Sequence, residues 1–219
     1  MAAIVQGSER IAQFCRPIAE QLGLEVVIRE LPRANSIPGE YLSVAITRSP
    51  HGQVVSYPAM RHNYHRKRLC TEPVTEDSIS MNLQESAISA ARDNQLIGSA
   101  IARFTKSLEL VEFATGLSHE ALWTLDFALI SQFENEVRSA HDLPLGSSNM
   151  LITDWLAIEY SAPIELDMKS PYLHLFAHDP SYQIRQFTSH TGIVLAAGRV
   201  DLFNRVAHAV DYLEGVVNE

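Results

Sequence analysis

The 219-residue chain has few cysteines, no long apolar run and no surplus of basic residues. Its two cysteines, Cys15 and Cys70, stand far apart and form no CxxC pair, which disfavours a zinc site or a disulfide framework and suits a reducing compartment. No stretch approaches the roughly 20 apolar residues that a membrane-spanning helix needs. The formal net charge of −9 argues against a general nucleic-acid binder.

The N-terminus also has no apolar run of the kind found in signal peptides, because Glu9 and Arg10 interrupt it. The sequence shows no internal repeat and no low-complexity segment. Apolar residues make up 46% of the chain and charged residues 20%, which is an ordinary globular balance. We therefore expect a soluble cytoplasmic protein of one domain, or of one domain with a small lobe, without a membrane or nucleic-acid partner.

Hydrophobic periodicity predicts an α+β domain. Helical spacing and capping residues predict helices at about 8–22, 78–94, 120–141 and 200–215. The predicted strands are "LEVVIREL", "EYLSVAITR", "QVVSYP", "LIGSAIARF", "SLELVEF", "NMLITDWLAI", "YLHLFAH" and "HTGIVLAAG". The fourth and fifth of these are expected to form a tight hairpin, and the segment from Pro32 to Pro38 is the best candidate linker. Hairpin-connected strands with segregated helices are typical of α+β folds.

The strongest basic cluster lies in the segment "RHNYHRKRL", which we interpret as a polar loop. Its members are Arg61, His62, His65, Arg66, Lys67 and Arg68. The favoured interpretation is a solvated hairpin loop, and the alternative is an anion site, for example for a nucleotide phosphate. His62 and His65 have no third ligand at the spacing typical of metal sites.

Several ordered motifs indicate common descent with a known enzyme family. They are "EYLSVAITRSPHGQVVSYP", then Asn63, His65 and Arg66, then Trp123-Thr124, Ser131-Gln132-Phe133-Glu134, Arg138, Leu143-Pro144-Leu145-Gly146 and "YLHLF". From about Glu40 to Gly215 the chain resembles carboxyaminoimidazole ribonucleotide synthetase. That enzyme is the ATP-dependent component of bacterial phosphoribosylaminoimidazole carboxylase, in purine biosynthesis.

The resemblance implies an ATP-grasp fold. It predicts the final lobe of that fold, a largely antiparallel sheet with helices packed on one side, plus a small C-terminal strand-helix region. We expect an N-terminal extension and linker at 1–38, the ATP-grasp-like lobe at 39–160 and the C-terminal region at 161–219. In the family, carboxyphosphate made from ATP and bicarbonate carboxylates the amine of aminoimidazole ribonucleotide, and acidic residues hold magnesium, which prefers hard oxygen ligands.

The charged residues of the family's site are largely replaced in this chain. The family has a glutamate on each strand of a hairpin. Glu112 matches one of them, whereas Arg103 stands where the other belongs. A guanidinium next to a dication is repulsive and cannot be deprotonated. We therefore expect Arg103 and Glu112 to form a cross-strand ion pair, and the alternative is that Glu112 remains a residual metal ligand.

Other parts of the family's site are altered as well. The front of the chain offers only about 39 residues before Glu40, and none of them forms the glycine-rich run that cradles phosphates, so a truncated form is expected. Family cations near the substrate are replaced, which leaves His178 and His190 as candidate ligand-binding residues. His174 and His178 would share one face of a strand and lie near His190. Inherited packing is favoured for them over a transition-metal site.

The resulting functional hypothesis is a non-catalytic, degenerate homologue of the synthetase that acts by binding or association. No catalytic residue and no cofactor is predicted. The candidate ligand-binding residues are Arg61, His65, Arg66, Lys67, Arg68, His178 and His190. The expected partner is a second copy or a full-length synthetase, with a small anionic ligand possible in the old cleft. The alternative is a nucleotide-binding ligase or carboxylase subunit that completes its site with a partner chain and uses Mg-ATP.

Overall fold

The computed structural model describes residues 2–31, 37–198 and 200–215, and the predicted linker from Pro32 to Pro38 lies mostly outside these ranges. The chain divides into two compact units. The first contains Met1–Arg61 and Val74–Leu151, and the second contains His62–Pro73 and Ile152–Glu219. The predicted segments 1–38, 39–160 and 161–219 have other limits and stay a prediction.

The helices and strands follow one another in an irregular alternation. In chain order they are β1 (Ala3–Gly7), α1 (Glu9–Ala12), α2 (Cys15–Gln21), β2 (Val26–Glu30), β3 (Tyr41–Arg48), β4 (Val54–Ser56), β5 (Met60–His65), β6 (Arg68–Pro73), α3 (Asp77–Asp93), β7 (Gly98–Phe104), β8 (Leu110–Thr115), a 3-10 turn (His119–Ala121), α4 (Thr124–Phe127), α5 (Gln132–Ala140), β9 (Trp155–Ser161), α6 (Lys169–His178), β10 (Gln183–Gln186), β11 (Thr191–Ala197) and α7 (Leu202–Leu213). Most strand pairs are antiparallel, and the predicted α+β class is confirmed.

The first unit begins with a two-stranded parallel sheet, in which β1 pairs with β2 across α1 and α2. Strand β1 was not predicted. The single helix predicted for 8–22 is wrong, because the chain forms two short helices instead. Pro17 has no N–H to donate to the carbonyl of Gln13, so a continuous helix would lack that hydrogen bond.

The main sheet of the first unit has β3 between β4 and β7, and β7 pairs in turn with β8. The hairpin predicted from "LIGSAIARF" and "SLELVEF" is thus confirmed as β7 and β8. Helix α3 covers one face of this sheet with small and apolar side chains. The core between them includes Val44, Ile46, Leu83, Ala87, Ala91, Ala100 and Phe104.

The single helix predicted for 120–141 is also wrong. A 3-10 turn, α4 and α5 replace it, and the backbone at Ala128 is extended and bridges to Met150. Thr124 Oγ1 donates to the carbonyl of Ala121 and accepts from the N–H of Gln132, which holds the break in place. Ser131 then caps α5, because its Oγ accepts from the N–H of Glu134.

In the second unit, β9 pairs with β6 and β11, and β11 pairs with β10. Helix α7 buries one stripe against these strands, whereas Phe203 near its start is 43% exposed. Its buried residues are Val206, Ala209, Val210 and Leu213. In the described ranges, no helix is both long and apolar enough to cross a bilayer.

Two predictions for the second unit are wrong. The segment "YLHLFAH" is a helix, α6, and not a strand, since a short apolar run has no periodicity that separates the two. The segment "RHNYHRKRL" is not a loop but the strands β5 and β6, joined through Arg66 and Lys67. Both turn residues have positive φ, of 49° and 68°, as a type I′ hairpin turn requires.

Candidate functional site

The hairpin of β7 and β8 carries Arg103 and Glu112, the two residues that the resemblance places at the family's metal site. Arg103 and Glu112 face each other directly in the antiparallel register. Arg103 Nη1 lies 2.6 Å from Glu112 Oε2, so the predicted ion pair is present and the register drawn from the sequence is correct. The ladder is irregular immediately after Arg103, where Phe104 pairs with Leu110.

A third charged residue, Glu120, completes this site and was missed by sequence reasoning. Arg103 Nε lies 3.0 and 3.1 Å from the two carboxylate oxygens of Glu120, and Arg103 Nη2 lies 2.8 Å from Oε2. The 3-10 turn that begins after Ser118 brings Glu120 back over the hairpin. The Ser118-x-Glu120 pattern could have predicted a turn here. It was not interpreted in this way because a single long helix was predicted for 120–141.

Two hydroxyl groups close the site around Glu120. Tyr41 donates from its phenol to Glu120 Oε1 over 2.5 Å, and Ser118 donates from Oγ to Glu120 Oε2 over 2.9 Å. The side chain of Glu120 is 0% exposed and that of Arg103 is 4% exposed, whereas 29% of the Glu112 side chain reaches solvent. The charge cluster of Arg103, Glu112 and Glu120 is therefore open on the Glu112 side only.

The charge state of Arg103 follows from its neighbours. Burial by itself would lower the pKa of the guanidinium. The negative charge of Glu120, and hydrogen bonds to Glu120 and Glu112, outweigh burial and raise the pKa above its ordinary value. Arg103 is thus a permanent cation, and the oxygens that a magnesium ion would use already bind its N–H groups.

No group of three or more His, Cys, Asp or Glu side chains in the described part of the chain is arranged to hold a metal ion. The role of Glu112 as a residual metal ligand stays a prediction. Its strand partner at that position, Arg103, is a cation rather than a second carboxylate. The hairpin therefore carries a cation and an anion where the resemblance implies two anions, and the second anion, Glu120, comes from the 3-10 turn after β8.

The predicted basic cluster is divided by acidic partners that the sequence pattern did not reveal. Arg61 lies 3.9 Å from Glu40 and 3.8 Å from Glu76 within the first unit. In the second unit, Arg68 binds Asp211 and Glu214 over 2.5 and 2.6 Å.

The remaining cations of the hairpin turn are less enclosed. Arg66 Nη1 lies 3.4 Å from Asp211 Oδ2, and Lys67 is exposed at the turn. The ring of His65 packs edge-on against Phe203, with centroids 5.0 Å apart. These residues do not converge on one point, and their role in anion binding stays a prediction.

The candidate histidines lie in two places within the second unit. His174 and His178 share a face of α6, because residues i and i+4 are neighbours on a helix, and their ring centroids are 4.3 Å apart. His174 also stacks on Tyr212 at 4.5 Å. His190 lies in the turn between β10 and β11, where its backbone N–H donates to Thr188 Oγ1. The stacking agrees with the packing interpretation, and their ligand-binding role is untested.

The helix motif from Ser131 to Glu134 serves the packing of the first unit. Gln132 Nε2 donates to the carbonyls of Ile46 and Ala100, each over 3.0 Å, and so joins α5 to β3 and β7. Glu134 forms an ion pair with Arg138 one turn later. The motif therefore has a structural role in the first unit.

Comparisons with known proteins agree with the resemblance. No model of a known protein family matches the chain. The N5-carboxyaminoimidazole ribonucleotide synthase of Mycobacterium tuberculosis (strain H37Rv) is 24% identical over 158 residues, which are 67% of this chain and 37% of that protein. The synthase of the same name from Bacillus subtilis is 31% identical over 117 residues, which are 50% of this chain and 31% of that protein.

Solved structures give the same fold. The N5-carboxyaminoimidazole ribonucleotide synthetase of Thermotoga maritima superposes with a TM-score of 0.63 at 18% identity, over 79% of this chain and 51% of the other. The Aspergillus clavatus enzyme, in complex with ADP and 5-aminoimidazole ribonucleotide, gives 0.64 at 14% identity, over 83% and 53%. The chain thus spans about half the length of these structures. It is a homologue of N5-carboxyaminoimidazole ribonucleotide synthase and has part of that protein's ATP-grasp fold.

Proposed function

We propose that this chain is a catalytically degenerate homologue of the synthase that acts by binding or association rather than by ligation. One observation carries the proposal. Arg103 stands between Glu112 and Glu120 and binds both of them, at the hairpin where the resemblance implies magnesium ligands. A buried guanidinium at that position repels a dication and occupies its oxygen ligands.

The second carboxylate does not compensate for the lost ligand. Both oxygens of Glu120 accept hydrogen bonds from Arg103, and each accepts another from a hydroxyl, that of Tyr41 or of Ser118. To bind magnesium, Glu120 would have to give up these donors, and Arg103 would remain nearby as a buried cation. Breaking a buried pair in this way costs several kcal/mol.

Association is the activity that would remain to such a homologue. The proposed partner is a second copy of the chain or a full-length synthase. The alternative, a ligase subunit that completes its site with a partner chain, requires Glu112 to leave Arg103 and bind Mg-ATP. Magnesium binding therefore separates the two functions.

The first test is turnover. The chain is incubated with Mg-ATP, bicarbonate and aminoimidazole ribonucleotide, and phosphate release is measured. We expect no release above the level without protein. Magnesium-dependent release that is abolished by Glu112→Ala would contradict the proposal, because it would show that the chain itself catalyses the reaction.

The second test restores the facing carboxylates. Arg103→Glu alone would place three carboxylates together, so it is combined with Glu120→Gln, which keeps the number of acids at two. Calorimetry should detect weak magnesium binding to this double variant and none to the wild-type chain. Arg92→Gln, an exposed substitution on α3 that lowers the net charge by one as the double variant does, is the matched control and should bind no magnesium. Equal magnesium affinity in the wild-type chain and the double variant would show that Arg103 does not block the site.

A further inference from the structure

Strand β2 has an open edge in the described part of the chain, where it pairs only with β1. The N–H of Ala3 donates to the carbonyl of Glu25, and the N–H of Leu31 donates to the carbonyl of Gly7. Glu25 and Leu31 thus direct their backbone groups towards β1, and because this direction alternates along a strand, Val26, Ile28 and Glu30 direct theirs outward. Val26 and Ile28 therefore present free hydrogen-bonding groups, which are a template for another strand.

The side chains next to this edge are also uncovered. Ile4 and Val27 face each other in the register of β1 and β2, and they are 52% and 55% exposed. Parallel sheets are usually covered on both faces, so an apolar row on an open face is unusual. A groove of about 390 Å³ also runs beside β2. It is lined by Ala2, Arg16, Ala19, Glu20, Leu24, Glu25, Val26 and Val27.

We propose that two copies of this chain associate by pairing their β2 strands antiparallel, about a two-fold axis at Val27. Val26 of each copy then lies opposite Ile28 of the other, and each such pair exchanges both of its N–H···O hydrogen bonds. Val27 lies opposite Val27 of the second copy, in a position where side chains approach closely.

The outward-pointing backbone groups of β2 allow several pairing registers, which differ in the residue that lies on the two-fold axis. The charged side chains favour the register with the axis at Val27. With the axis at Val27, Glu25 lies opposite Arg29 of the second copy, and the symmetry repeats this ion pair. With the axis at Ile28, Arg29 would lie opposite Val27, and Glu25 opposite Leu31. With the axis at Val26, Glu25 would lie opposite Val27. Only the first register joins opposite charges, and this self-complementarity identifies the partner as a second copy.

This inference rests on the association part of the proposed function and is independent of Arg103. The test measures the dimer dissociation constant of the full chain by sedimentation over a dilution series. Arg29→Glu and Glu25→Arg each convert two attractive pairs into two repulsive pairs. We expect each variant to dimerise at least about tenfold more weakly, from the usual energies of cross-strand charges.

The decisive experiment mixes the two variants. In a mixed dimer, the Arg introduced at position 25 faces the Glu introduced at position 29, and the native Arg29 faces the native Glu25. An equimolar mixture should therefore form heterodimers with a dissociation constant within about threefold of wild type, because both ion pairs are restored. Arg92→Glu is the matched control and should dimerise like wild type. Circular dichroism confirms that each variant is folded.

Three results would overturn the proposal. They are a wild-type chain that stays monomeric, a dimer that neither charge change weakens, and a mixture that fails to associate. None of these bears on magnesium binding, since Arg103, Glu112 and Glu120 are unchanged in every variant. Conversely, turnover of ATP would overturn the loss of catalysis and leave the β2 interface standing.

Discussion

Two arginines, one in each unit, each form close ion pairs with two carboxylates over distances below 3 Å, and their surroundings differ. Arg103 in β7 binds Glu112 and Glu120, and its side chain is 4% exposed. Arg68 in β6 binds Asp211 and Glu214, with a side chain that is 11% exposed. Both carboxylates of Arg68 are 16% exposed, whereas Glu120 is fully buried.

The two clusters show that an arginine between two acids does not have one fixed role. Asp211 and Glu214 are one helical turn apart near the end of α7, so Arg68 clamps a helix end to a strand of its own unit. Glu214 also accepts from the N–H of Ser161, which ties the same helix end to β9. Arg103 instead neutralises a carboxylate that has no access to water. Burial, rather than the number of ion pairs, should therefore decide how much each arginine contributes to stability.

The largest effect is expected at Arg103. Arg103→Met leaves Glu120 buried without a cation, and the free energy of unfolding should fall by about 3–5 kcal/mol. Denaturant unfolding measures it, with Arg92→Met as the exposed control. Adding Glu120→Gln to Arg103→Met should recover much of the loss, because no buried charge remains. A loss below about 1 kcal/mol in the single variant would mean that burial does not make the cluster around Arg103 the more stabilising of the two.

A smaller loss is expected at Arg68. Arg68→Met removes hydrogen bonds to two carboxylates, but both retain access to water, so the free energy of unfolding should fall by about 2 kcal/mol. The same denaturant titration applies. Helix α7 should remain formed, as its apolar stripe is untouched. If Arg68→Met proves as damaging as Arg103→Met, exposure is not what separates the two clusters.

Glu136 extends the comparison to a buried carboxyl for which the described part of the chain shows no ion pair with an arginine. It accepts hydrogen bonds from Gln6 and Ser99, which are neutral, and burial raises its pKa above the ordinary value of 4.5. The unfolded chain ionises near that value, so the folded state loses stability as the pH rises from 4.5 towards the folded-state pKa.

Glu136→Gln removes this dependence on pH. Relative to pH 4.5, the stability difference between the two proteins should shift in favour of the Gln variant as the pH rises to 8, because only the wild-type carboxyl has a raised pKa in the folded chain. Thermal unfolding at several pH values measures the shift. Parallel pH profiles for wild type and variant would indicate that Glu136 is already ionised in the folded chain.

The smallest effect is expected at Glu112. Its side chain is 29% exposed, so water screens its attraction to Arg103, and Glu112→Gln should cost about 0.5 kcal/mol. Chemical denaturation resolves such a change against wild type. A cost comparable with that of Arg103→Met would mean that the ion pair of Arg103 with Glu112 stabilises the fold more than the ion pair of Arg103 with Glu120.

The site was half predictable from sequence. Arg103 and Glu112 belong to adjacent strands of one tight hairpin, and their pairing follows from counting residues to the turn. Glu120, Tyr41 and Ser118 lie on other elements, and only the fold brings them to Arg103. Asp211 and Glu214 were missed for the same reason, since about 145 residues separate them from Arg68.

Local pattern and inherited motifs by themselves determined the α+β class, the hairpin of β7 and β8, the amphipathic helix α7 and the relationship to the synthase. These depend on periodicity and on short-range order, which a sequence displays directly. Tertiary structure alone decided that residues 120–141 break into three pieces, because the extended backbone at Ala128 bridges to Met150. It also decided that "YLHLFAH" is a helix, since a short apolar run has no periodicity that separates a strand from a helix. It alone also decided that Arg103 is enclosed by two carboxylates, since the cost of burying a charge depends on which groups the fold places around it.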